Sequence, residues 1–172
     1  DVSFLGVRMV KFSEYIHSLP VPTSLNLVRM HPLRGTALVV IESRLVFSLV
    51  NAYFGGDPRI AGRLEDRDFT PMESRVIQMT LERALKDQAE AWAPVMHVEF
   101  EYTGSEVNPQ FANIVNPAEV VVVTSYALDI EGARGEIHLT MPYAMIEPIR
   151  ELLDAGMQSD RTDSDERWTR SI

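Results

Sequence analysis

The chain runs to 172 residues, 45% of them hydrophobic and 24% charged, with a formal net charge of −9. That length and composition support one globular domain, or one and a half, with a substantial core, and the acidity argues against non-specific binding to nucleic acid. Cysteine is absent, which excludes disulfides and thiolate chemistry and fits a cytoplasmic protein.

No apolar run approaches the roughly 18–20 residues that span a bilayer, and residues 1–19 lack the apolar block of a signal peptide. The chain opens on Asp1 rather than Met, which reads as an excised fragment. Apolar positions at Leu5, Met9, Phe12, Tyr15, Ile16 and Leu19 predict a helix over residues 1–19, closed by Pro20 and Pro22. Residues 24–31 alternate as a strand does, and residues 33–35 form a turn. Residues 36–41 are apolar and β-branched, the pattern of a buried strand. Ser43 is placed to cap a helix running to Phe54, with Leu45, Val46, Leu49, Val50 and Tyr53 on its apolar stripe.

That helix stops on paired glycines, and the candidate site follows: Phe54, Gly55, Gly56, Asp57, Pro58 and Arg59. One glycine suffices to end a helix, because a residue without Cβ reaches the left-handed conformation cheaply. The second leaves main chain uncovered beside an acid and a base, where a partner surface can come close. An ordinary helix stop followed by a surface turn accounts for the same residues.

Residues 55–68 read as loop. Thr70, Pro71, Met72 and Glu73 then make a capping box with proline at the first helical position, starting a helix that Pro94 ends. Ile77, Leu81, Ala84, Leu85, Gln88 and Trp92 share one stripe of it. Residues 95–102 alternate an apolar face with an acidic one, as a half-buried strand does. Residues 105–117 are turn-rich, and residues 119–130 and 135–141 are strands. Pro142 leads to a short helix holding Met145, Ile146, Ile149, Leu152 and Leu153, with Pro148 expected in its first turn. Residues 1–155 are taken as the domain. The polar residues 156–172 read as a tail or linker toward a further domain.

Gly35, Ile41, Leu45, Val46 and Leu49 align with Gly135, Met141, Met145, Ile146 and Ile149 at an offset of 100. The repeated order of turn, strand and helix suggests an α+β fold of two duplicated helix–strands–helix units with pseudo-two-fold symmetry. Charge is uneven: residues 1–59 carry +2 and residues 60–172 carry −11. That asymmetry would help identical copies meet unlike face to unlike face, although a solvated acidic surface gives the same count. The catalytic inventory is empty. His17, His31, His97 and His138 lack metal-ligand spacing, and no phosphate-binding glycine loop or nucleophile elbow is present. No metal or cofactor is expected.

Blocks at residues 33–37, 54–57, 68–70, 73–77, 98–102, 110–113, 141–143 and 145–149, taken in order, resemble the middle domain of the FliM family of flagellar motor switch proteins. The likeness runs from about Ser13 to Leu153. It implies a CheC-like fold, a pseudo-two-fold α/β/α sandwich with which the repeat is compatible, placement in the rotor's C ring at the cytoplasmic face of the inner membrane, and contact with the membrane only indirectly. It further implies that the Gly55-Gly56 loop contacts the rotor protein FliG, that the domain packs beside other FliM copies, and that the phosphorylated chemotaxis response regulator is captured mainly by an amino-terminal peptide absent here. Pro58 stands where many members have a further glycine, which stiffens the loop. Arg59 is placed to pair with an acid or carbonyl of the partner. The related CheC/CheX phosphatases direct water with a Glu and an Asn three residues on. Glu73 matches the first, but Val76 stands in place of the amide and cannot orient water, while Glu14 is followed by His17. A scaffold is therefore expected rather than an aspartyl-phosphate phosphatase.

Overall fold

A computed structural model gives the fold and describes residues 1–57 and 67–155. Strands β1 (Val2–Lys11), β2 (Ser24–His31), β3 (Thr36–Ile41), β4 (Glu99–Glu106), β5 (Val120–Ile130) and β6 (Ala133–Pro142) form one sheet in the order β1-β5-β6-β3-β2-β4. Every neighbouring pair is antiparallel. Helix α1 (Phe12–Ser18) covers one face, burying Phe12, Tyr15 and Ile16 against Leu25, Leu38, Val121 and Val123. Helices α2 (Ser43–Tyr53) and α3 (Pro71–Trp92) cover the other, with Leu45, Val46, Ile77, Leu81 and Leu85 on Val28, Val39 and Ile41. Helix α4 (Tyr143–Ile146) seats Met145 beside Met30 and Ala37 on that same face.

The α+β sandwich with pseudo-two-fold symmetry is borne out, and the register locates the axis. Val39 faces Leu139, while Leu38 faces Thr140 and Val40 faces His138, so an offset of 100 maps the β3–β6 ladder onto itself. The same operation explains the aligned glycines. A Cβ on Gly35 would meet Met145 Sδ at 3.5 Å, and one on Gly135 would meet Leu45 Cβ at 2.8 Å. Gly135, within β6, thus lets Leu45 of the other half's helix settle close, while Gly35 is favoured by its φ of +125° and makes only ordinary contact with Met145.

The edge strands repeat at an offset of 98, down to their irregularities. The β1–β5 register slips between Phe4 and Gly6, and the β2–β4 register slips between Tyr102 and Gly104. Leu5 and Thr103 are the extra residues of two matching β-bulges. Each half donates its edge strand to the other: β1 pairs with β5, and β4 pairs with β2.

Four readings change. Residues 2–11 are strand, not helix, and only residues 12–18 of the expected first helix are helical. Ser43 is not a cap; its hydroxyl donates to the carbonyl of Pro22, and the N-cap position falls on Glu42. The strand expected over residues 95–102 lies at β4, four residues later at each end, because pairing with β2 sets its bounds. Finally, helix α4 begins at Tyr143, so Pro148 lies beyond its first turn, in a 3₁₀ turn at Glu147–Ile149 before helix resumes over residues 150–155. A proline lacks the amide for an α-helical bond, and the tighter turn accommodates it. Residues 156–172, read as a tail, lie outside the described residues.

Candidate functional site

The turn after α2 is built from backbone upward. Phe54 is the helix C-cap, and Gly55 follows with φ +78°, the left-handed region where a side chain is strained. Gly55 N–H donates to the Ala52 carbonyl at 3.0 Å, and Gly56 N–H donates to the Asn51 carbonyl at 2.9 Å. These two bonds make a Schellman motif, which satisfies carbonyls the helix end would otherwise leave open.

Gly56 is required for a different reason. A Cβ there would lie 2.8 Å from Asn51 Cγ, so the Asn51 carboxamide occupies the space a side chain needs. The same carboxamide donates from Nδ2 to the Asp57 carbonyl. Asn51 therefore pins the turn from inside the last helical turn. Nothing lies within 4 Å of a Cβ placed on Gly55, and both glycines are exposed.

Beside this bare main chain stands an aromatic pair. Tyr53 and Phe54 are 57% and 60% exposed, with ring centroids 5.3 Å apart at 87°. Rings held edge to face present a preordered apolar surface that loses little conformational entropy on contact. The structure brings Phe54, Gly55, Gly56 and Asp57 into one exposed turn. Pro58 and Arg59 lie outside the described residues.

Past the turn, the next described residue is Arg67. Its guanidinium donates to both oxygens of Glu73, at 2.7 and 3.1 Å, and lies 4.9 Å from the centre of the Phe47 ring. Phe47 in turn meets Phe69, with centroids 5.6 Å apart. The capping box is present as expected: Glu73 N–H donates to Thr70 Oγ1 and Thr70 N–H to Glu73 Oε2, both at 3.2 Å. The hydrogen bond from Arg67 is the main reason the Glu73 carboxyl titrates below its ordinary value. A carboxylate engaged on both oxygens is not poised to direct water, and Val76 is buried.

Sequence reasoning missed Asn51 and Arg67. An amide one turn ahead of a glycine pair is a signal for the first. The second sits in a run of charged residues whose partner depends on where the loop returns. Among the described residues, no group of three His, Asp or Glu side chains forms a metal-binding cluster, and no helix is long and apolar enough to cross a membrane.

A family model for the flagellar motor switch protein FliM matches residues 1–157. A flagellar motor switch protein FliM of Pseudomonas aeruginosa is 58% identical over 172 residues, covering 100% of this chain and 53% of that protein. The crystal structure of a FliM middle domain from Vibrio alginolyticus is similar at a TM-score of 0.79 and 54% identity, over 88% of this chain and 84% of that one. A FliG–FliM complex from H. pylori shares the fold at a TM-score of 0.81 and 24% identity, over 87% of this chain and 81% of that one. The chain spans about half the length of the curated relatives it matches. Sequence blocks, duplicated sheet and solved relatives agree: the chain belongs to the FliM family of flagellar motor switch proteins.

Proposed function

We propose that this domain is a non-catalytic scaffold of the flagellar rotor switch, holding FliG through the turn Phe54–Arg59 and passing the chemotaxis signal to the direction of rotation. The observation that carries the reading is the exposed, internally pinned turn in which Tyr53 and Phe54 lead into two bare glycines. Preorganised aromatic anchors beside accessible main chain are the ingredients of a binding hot spot. The H. pylori relative of the same fold was solved in complex with FliG, which fits this assignment.

Neighbouring FliM copies would stand side by side in the C ring, at the cytoplasmic face of the inner membrane. Tilting between them reorients FliG. Such switching needs two arrangements of similar free energy, which the phosphorylated response regulator biases by binding them unequally. A CheC-like phosphatase is disfavoured, because Glu73 is consumed by Arg67 and Thr70 and because Val76 replaces the amide.

The test is affinity for the cognate FliG middle domain, measured by titration calorimetry. Phe54→Ala should weaken capture by about 1–2 kcal/mol, on the order of tenfold, and Arg59→Glu should weaken it as well. Affinity unchanged in both variants, with folding intact, would remove the docking role.

A further inference from the structure

Asn51 touches the docking turn twice. Its carbonyl accepts from Gly56 N–H at 2.9 Å, and its side chain donates from Nδ2 to the carbonyl of Asp57. The first bond belongs to the main chain and survives any change of side chain. The second fixes where the chain goes after the glycines, and it needs a side chain with an N–H to give. Asn51 is half-buried in the last turn of α2, and Gly55 and Gly56 are exposed beyond it. Asparagine is a weak helix former because its amide competes for nearby backbone, so helix formation alone favours alanine at this position.

The duplication supplies an internal comparison. An offset of 100 carries Asn51 onto Glu151 of the other half, and a carboxylate has no N–H to offer a carbonyl. The amide thus occurs in the half whose turn carries the exposed Tyr53 and Phe54, and is missing from the duplicated position.

Position 56 answers to the same side chain. Gly56 lies outside the left-handed region, so its backbone conformation by itself admits any residue. What excludes a side chain is space. The three atoms nearest to a Cβ there all belong to the Asn51 carboxamide, with Cγ at 2.8 Å and Nδ2 at 2.9 Å.

We propose that Asn51 is a positioning residue for partner docking: its carboxamide closes the turn on Asp57 before the partner arrives, and this amide, rather than the partner, is what requires glycine at position 56. The inference rests on the docking reading above. A turn that is already closed loses less conformational entropy on contact, so removing the brace weakens capture although every contacting group is still present.

The test is a set of variants of the 172-residue protein, titrated calorimetrically with the cognate FliG middle domain and examined without partner by NMR relaxation. Asn51→Ala should lower the order parameter of the Asp57 amide from about 0.85 toward about 0.6, and should weaken FliG capture several-fold. Its melting temperature should hold, because alanine is the better helix former. Gly56→Ala alone should weaken capture as well. Added to Asn51→Ala it should weaken capture little further, since the obstructing amide is gone. Full additivity overturns the proposal, because glycine would then be required by the partner itself. An unchanged order parameter overturns it too, as does a loss of affinity that only follows a fall in melting temperature. Phe54→Ala separates the two readings. Weaker capture in that variant with none lost in Asn51→Ala overturns the positioning role alone, whereas unchanged affinity in both removes the docking reading and this role with it.

Discussion

Single residues carry more than one role in this fold, and Tyr15 shows how burial turns into pH dependence. Its side chain is fully buried in the α1 face, and its hydroxyl lies 3.1 Å from His138 Nδ1. Burial is the main cause that pushes its hydroxyl from 10.0 up to about 12. The unfolded chain loses that proton first. Stability is therefore undiminished below pH 10 and falls as pH rises through about 12, by at most about 3 kcal/mol at 1.36 kcal/mol per unit. Urea midpoints measured across that window should decline, and Tyr15→Phe should flatten the decline while retaining the ring's packing. A slope that persists in the variant would assign it to other groups. Gly55 and Gly56 give a second lesson at this scale. They are adjacent and identical, yet one is needed for its dihedral angle and the other for its neighbour's amide.

Among the elements, α3 was the most legible, because its start is written locally. Thr70→Ala should destabilise by about 1 kcal/mol through loss of the cap. Glu73→Gln should remove part of the acid sensitivity: a carboxyl held low contributes stability above its ordinary pKa and loses it as pH falls through the lowered value. Acid titration monitored by circular dichroism tests this, and an unchanged acid midpoint would reject it. The strands β2, β3, β5 and β6 were legible too, from alternation and β-branching. The two misplaced strands failed for one shared reason. In β1 the alternation of Val2 and Phe4 is broken by Leu5 and Gly6 before Val7 and Met9 resume it, so the apolar spacing imitates a helix. In β4 the expected strand stopped at Tyr102, immediately before its own bulge at Thr103 and Gly104. A bulge shifts the phase of a strand, and only its partner's register shows that pairing continues. The candidate turn was legible as a place, because glycine punctuates the pattern. Its inner bracing by Asn51 was not, since a side chain's choice of backbone partner depends on the path of the turn.

For the whole molecule, the exchanged edge strands decide how it can come apart. Residues 1–57 contain β1, β2 and β3, but β1 pairs only with β5 from the other half. A chain severed within residues 58–66 should yield two fragments that each lack a cooperative transition alone and recover one when refolded together. Circular dichroism melts with sedimentation would read this, and one independently folding fragment would refute it. The paired bulges bear on how copies would meet at the seams of the proposed ring. A neighbouring sheet that tried to lengthen this one by hydrogen bonding along either margin would meet a one-residue dislocation at Leu5 or Thr103 and lose step partway along. In the side-by-side arrangement proposed above, copies would thereby be steered toward helix and side-chain contacts that can slide or rock, and away from fibre-like fusion.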